Sequence, residues 1–140
     1  MLTQLAHLSL AADGRYATDQ ELQFLKNYLK SVDQRICIYE KIRDESEQMI
    51  EKVKEHKDAR NQTGKEKIFY MGPHDRSATC LRDMKAILRC SAAMILSNDL
   101  ERMRQGILLW YHTIVCAFNY QDDTNMMYQF LEEVVNSYLT

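Results

Sequence analysis

Apolar residues recur at helical spacing along nearly the whole chain, interrupted by short polar or glycine-containing stretches. Leu2, Leu5, Leu8 and Leu10 predict a short opening helix that stops at the Asp13-Gly14 turn signal. Thr18 followed by Glu21 is a capping box: the hydroxyl satisfies a free amide of the first turn while the carboxylate reaches back to the cap. Leu22, Leu25, Leu29 and Val32 then give the next helix an apolar stripe, so residues 1–30 read as a helical hairpin. From Asp33 the pattern Ile36, Tyr39, Ile42, Met49, Ile50 and Val53 predicts a long helix with a charged outer face, fading near His56. The run Lys52 to Lys57 reads as its solvated end. Residues 57–75 read as a loop with one apolar anchor, Ile68-Phe69-Tyr70-Met71.

A further helix is predicted to start near Asp75 or Arg76 and to carry Cys80, Met84, Ile87, Leu88, Cys90 and Ile95 as far as the Ser97-Asn98-Asp99 break. After Asp99 the chain is apolar on nearly every side from Gly106 to Phe118, which predicts a helix buried on several faces, with Trp110 and Phe118 in the core. Asn119 to Asp123 breaks it, and Met126 to Leu139 forms a last amphipathic helix. Six or seven helices with short connections predict an all-α, globin-like or orthogonal bundle over residues 1–140 as a single domain.

Composition narrows the function classes. One proline and four glycines agree with an all-α domain. The net charge of -2, with both signs intermixed, argues against a nucleic-acid partner. No apolar run approaches the roughly 18 residues of a membrane span, and no signal-peptide pattern opens the chain, so a soluble, intracellular protein is expected. Cys37, Cys80, Cys90 and Cys116 are widely spaced, without zinc-ligand companions, so neither a disulfide framework nor a metal site is expected. Cys37, Cys90 and Cys116 lie in apolar stretches and read as small core residues.

The chemistry concentrates at Cys80-Leu81-Arg82-Asp83. At about 100° per residue, Asp83 and Arg76 share the face of Cys80, whereas Arg82 points around the side and must reach back. A thiolate there, favoured by arginines, would add to a vinyl or ethylidene group. Arginine pairs with carboxylates such as tetrapyrrole propionates, and aspartate accepts hydrogen bonds from pyrrole N–H groups. The plain alternative is a half-buried cysteine on an amphipathic helix with ordinary surface charges.

Two segments carry a family resemblance: Gly14-Arg15-Tyr16 through Leu22, Leu25-Lys26, Tyr28 and Arg35 to Ile50 and Val53, and Arg76-Ser77-Ala78-Thr79-Cys80-Leu81-Arg82-Asp83 with Leu88-Arg89. A third piece is Gln105-Gly106 with Tyr111. On these residues the chain resembles the phycobiliproteins, most closely the allophycocyanin type. The resemblance implies a globin-like fold whose N-terminal hairpin docks a partner subunit. It also implies a phycocyanobilin-type bilin joined by a thioether to Cys80, with Asp83 on the central pyrrole nitrogens, Arg82 on a propionate, and Arg76 or Arg89 supporting a pocket that includes Tyr111. No turnover is implied. The implied partners are other phycobiliprotein-like, linker or photosystem-associated subunits in a hetero-oligomer on the cytoplasmic face of the thylakoid.

The chain departs from that family where Ile68-Phe69-Tyr70-Met71-Gly72-Pro73 replaces a Pro-Gly-Gly-Asn stretch, where Cys90-Ser91-Ala92-Ala93-Met94 replaces an aromatic-rich segment, and where Leu108-Leu109 replaces a polar pair. The Ser97-Asn98-Asp99 loop and the C-terminal region are also short. Three readings follow: a bilin-binding accessory protein, a colourless scaffold or assembly factor of the photosynthetic apparatus, and a haem-binding globin sensor with His112 as axial ligand. A buried, hydrogen-bonded His112 is the plainer expectation. His7, His56 and His74 read as solvated, and His74 would touch a ligand at Cys80 if the loop folded over it. The exposed side of the hairpin, with Leu2, Leu5, Leu8 and Tyr16, is the expected protein-binding face.

Overall fold

The computed structural model describes residues 2–64, 67–71 and 73–140. Helices α1 (Leu2–Gly14) and α2 (Asp19–Lys30) form the predicted hairpin. The Thr18–Glu21 capping box is present in full, and Arg15 clamps the Glu21 carboxylate with two bonds of 2.9 and 2.8 Å. The α2 stripe, however, stays largely uncovered: Leu22 and Leu29 are 43% and 59% exposed.

Helix α3 (Val32–Gln62) runs past His56 to Gln62. The residues beyond His56 are mostly good helix formers, and Asn61, which looked like a loop residue, spends its side chain on the loop instead of on its own backbone. Its Oδ1 accepts the Ile68 N–H at 2.8 Å and its Nδ2 donates to the Ile68 carbonyl at 3.2 Å. Gly64, at φ 69°, takes the left-handed turn that ends the helix. Lys52–Lys57 is thus not the helix end, although Lys52, Lys54, Glu55 and His56 are exposed as expected; Lys52 covers the Tyr138 ring at 4.3 Å and the Lys57 side chain is only 12% exposed.

The loop anchors as predicted through buried Ile68 and Phe69, and it also forms a two-residue antiparallel ladder, β1 (Tyr70–Met71) with β2 (His74–Asp75). The side chains of Leu2 and Met71, and all of Gly72, fall outside the described residues. Helix α4 (Ser77–Ser97) ends at Asn98 in the left-handed region, φ 54°. Then α5 (Leu100–Met103) widens into a π-helical turn, Arg104–Leu108, that contains Gln105-Gly106, and continues as α6 (Leu109–Ala117). Asn119, at φ 57°, closes α6, and α7 (Gln121–Leu139) starts at once rather than at Met126.

The core lies where α4 and α7 pack on α3: Met49, Val53 and Met84 are fully buried, among Ile42, Ile50, Leu88, Phe130, Leu131 and Val134. Burying side chains of this size stabilises the fold by roughly 1.5–3 kcal/mol each. Helix α6 is not part of it. Leu109, Trp110 and Phe118 are 61%, 64% and 63% exposed, so the predicted core helix lies on the surface and touches mainly α7. The cause is a shortage of partner surface: α3, α4 and α7 already satisfy one another, and a helix that is apolar all round has no one face to offer. Cys37 and Cys116 are exposed and Cys90 is half-buried, which corrects their placing in the core.

Candidate functional site

The first turn of α4 is set by its approach. Phe69 is 1% exposed yet holds φ 67°, a conformation a bulky side chain adopts only when its surroundings impose it. Its carbonyl accepts the Arg76 N–H at 2.8 Å, which ties the loop to the start of the helix. Asp75 caps that start by accepting the Ser77 N–H at 2.8 Å, and the same bonds, with the Ser77 hydroxyl leading, hold its carboxyl below the usual range. Cys80 follows one turn later, its N–H donating to the Arg76 carbonyl at 2.9 Å.

The six residues expected at this site divide into two groups. Cys80, Asp83 and Tyr111 come together on the side of α4 that faces α6 and α7, where Tyr111 senses both the thiol and the carboxylate. Arg76 sits at the N-cap position of α4, exposed, and its charge acts weakly on Cys80. Arg82 bonds its chain neighbour Asp83, its Nε and Nη2 donating to Oδ1 at 3.3 and 3.2 Å. Its 76% exposed side chain makes that pair worth little, on the order of 0–1 kcal/mol. Arg89 is nine residues from Cys80, roughly half a turn away around the helix axis, and faces α3 instead. There it lines a groove of about 290 Å³ with Tyr39, Arg43, Glu47 and Lys85. Arg82 lines a second groove of about 430 Å³ beside it, with Glu51 and Lys54.

The electrostatics of Cys80 reverse the sequence-based expectation. Burial pushes the thiol up, Asp83 and Asp75 push it further, and the pull of Arg76 is smaller than these. The sulfur belongs to a side chain that is 4% exposed, so the resting group is a covered thiol, not a thiolate.

Two residues of α7 complete the cluster. The Tyr128 ring meets Tyr111 edge to face, with centroids 5.5 Å apart. Its buried hydroxyl has no partner in hydrogen-bonding geometry, although the Tyr111 hydroxyl is close enough to perturb it. Burial raises both phenols above their ordinary value, Tyr128 much further than Tyr111, where the Thr124 and Tyr128 hydroxyls partly offset it. Both therefore stay protonated donors at neutral pH. Sequence reasoning passed over Thr124 because α7 was begun at Met126, and over Tyr128 because spacing along one helix does not say which neighbour it meets; their four-residue spacing on a helix starting at Gln121 was the available signal.

A covered thiol, a carboxylate and two buried phenols lie within electrostatic reach of one another, and the Tyr128 hydroxyl makes no well-formed hydrogen bond. Helix α6, which carries Tyr111, buries none of its own residues. A haem reading finds no support at His112, which is exposed and lies beside the Cys116 sulfur, with Sγ 3.5 Å from Nε2. His7, His56 and His74 are exposed as expected. Among the described residues no group of three metal-ligating side chains occurs, and no helix is long and apolar enough to cross a membrane.

Residues 8–140 match the family model described as Phycobilisome protein. No curated protein matches the chain at a significant level.

Proposed function

This chain belongs to the phycobilisome protein family, and from that membership we propose that it is an allophycocyanin-like accessory protein that carries a bilin on Cys80. The observation that supports this reading is the convergence of Cys80 and Asp83 with Tyr111 and the unpartnered hydroxyl of Tyr128. A bilin supplies an exocyclic double bond across which a thiol adds, so the Cys80 S–H proton passes to carbon and no redox partner is needed. Asp83 would accept from pyrrole N–H groups, and Tyr128 and Tyr111 would donate to polar atoms on the far side. Arg82, once freed from Asp83, and Arg76 are the cations on hand for propionates, while Arg89 supports the α3 side. The protein would hold and rigidify a pigment rather than turn over a substrate.

A second reading rests on a specific observation: Cys80 is buried and its thiol is pushed up, the opposite of a poised nucleophile. In that reading the fold serves as a colourless scaffold or assembly factor of the photosynthetic apparatus. Under either, the hairpin is the docking element. Tyr16 and Leu10 are 99% and 76% exposed on it, whereas Leu5 and Leu8 are partly covered, so the contact centres on the end of α1 rather than its beginning. The partners would be other phycobiliprotein-like, linker or photosystem-associated subunits on the cytoplasmic face of the thylakoid.

The test is co-expression with a bilin-producing pathway and a lyase, followed by fluorescence of denatured protein on a gel. Pigment that stays with the wild type and vanishes from Cys80→Ser is the expected result. A colourless wild type under these conditions would move the assignment to the scaffold. For the docking surface, removal of residues 1–17 should abolish co-purification of a partner, and unchanged co-purification would sink it.

A further inference from the structure

His112 and Cys116 stand four residues apart on α6, both exposed, one helical turn from each other. The Cys116 sulfur lies 3.5 Å from Nε2 and 3.8 Å from Nδ1 of His112. With Zn–S near 2.3 Å and Zn–N near 2.05 Å, a tetrahedral zinc ion spans its sulfur and nitrogen ligands by about 3.6 Å. The pair is thus spaced for bidentate capture, and both residues are exposed to solvent. The ligand types are those that zinc prefers.

We propose that His112 and Cys116 form half of a zinc site, and that a second copy of this chain completes it by presenting the same pair across a two-fold axis. The other two ligands must come from outside the chain, since no third metal-ligating group lies within reach among the described residues. An isologous contact supplies one more cysteine and one more histidine, giving the closed Cys₂His₂ set of a structural zinc centre. The surrounding surface suits that contact. Leu108 and Leu109, one turn earlier on the same stripe, are 45% and 61% exposed. Helix α6 itself contains no charged residue to repel its mate.

The experiment adds zinc chloride to the full, pigment-free chain and measures particle mass by sedimentation velocity, together with alkylation of the Cys116 peptide by mass spectrometry. The expected result is a doubling of mass that a chelator reverses, with Cys116 alkylation slowed several-fold. Cys116→Ser and His112→Ala, both surface changes whose fold circular dichroism can check, should remain single copies in zinc. Unslowed alkylation of Cys116 overturns the metal site. Slowed alkylation at the mass of one copy overturns the two-copy assignment, as does a zinc-dependent doubling that survives Cys116→Ser. Replacing zinc by cobalt(II) provides an independent readout: a tetrahedral Cys₂His₂ set gives intense visible absorption, and a pale six-coordinate spectrum would also overturn the proposal.

Discussion

Helices α4 and α6 are both rich in apolar residues, yet one lies against the core and the other faces outward. In α4 the apolar residues alternate with Arg82, Lys85 and Arg89, so one face is marked for burial, and Cys80, Met84, Leu88 and Ala92 occupy it. In α6 no polar face interrupts the pattern, and no residue is buried. What separates them is contrast around the helix, not hydrophobicity, because packing requires a partner surface for every face that is to be hidden. Apolar surface left without a partner inside the chain is surface available to other molecules.

The largest expected effect tests this division. Met84→Ala removes a fully buried side chain from the α3–α4 contact and should cost about 2–5 kcal/mol. Trp110→Ala, at a side chain that is 64% exposed, should cost less than about 1 kcal/mol. Urea denaturation of the two variants measures both. Equal losses would mean that α6 belongs to the core after all.

Arg35 sharpens the comparison, because it is a charged residue that the packed region buries while the exposed region leaves tryptophan in water. It is 6% exposed and donates to the Leu96 carbonyl at 2.6 Å, the Tyr28 carbonyl at 2.8 Å and the Ser31 hydroxyl at 3.2 Å. Its guanidinium also lies 4.1 Å from the Tyr28 ring centroid. One side chain thereby joins the hairpin and the end of α4 to α3. Arg35→Lys keeps the charge but not the fork, leaves carbonyls unfilled, and should lower stability by about 2–3 kcal/mol. A melting temperature unchanged from wild type would show that a single ammonium suffices.

Much of this was legible from residue spacing, and the failures share one cause. The capping box at Thr18 and Glu21 and the limits of α4 are local, governed by residues within a turn of each other, and both appear as read. The family, and with it the all-α fold, was also legible from the hairpin and cysteine segments. What spacing along one helix could not convey was which helix would face which. That is why α6 was placed in the core, why Tyr128 went unnoticed opposite Cys80, and why Cys80 was read as a thiolate when burial and the Asp83 and Asp75 carboxylates outweigh Arg76.

Trp110 is the chain's single tryptophan and reports on α6 without labelling. Its emission should be solvent-like and readily quenched by acrylamide, given 64% exposure. A Trp110→Phe/Phe130→Trp variant moves the reporter to a side chain that is 5% exposed and should shift emission to shorter wavelength with much slower quenching. Matching spectra from the two proteins would erase the contrast between the regions. A blue shift of Trp110 on adding a partner would locate that partner on α6 rather than on the hairpin.

The smallest effect separates the hairpin from the core by acid. Glu21 sits between Arg15 and the Thr18 N–H, and those bonds, with Arg15 leading, lower its carboxyl from an ordinary 4.5 to about 2. A depressed carboxyl stabilises the folded form fully above its unfolded value and loses that contribution as pH falls through the folded one. The linkage between α1 and α2 should therefore weaken from about pH 4.5 down to about pH 2. The apolar contact of α3 with α4 and α7, built from Met49, Val53, Met84 and their neighbours, does not involve Glu21 and should outlast it. Amide exchange shows the difference: residues 15–22 should lose protection over that interval while residues 49–53 keep theirs. Glu21→Gln should flatten the pH dependence of the hairpin, since an amide neither ionises nor grips Arg15 as strongly. If both segments lost protection together, the hairpin and the core would be one cooperative unit, and the exposed stripe of α2 would have to be explained by something other than its loose hold on α3.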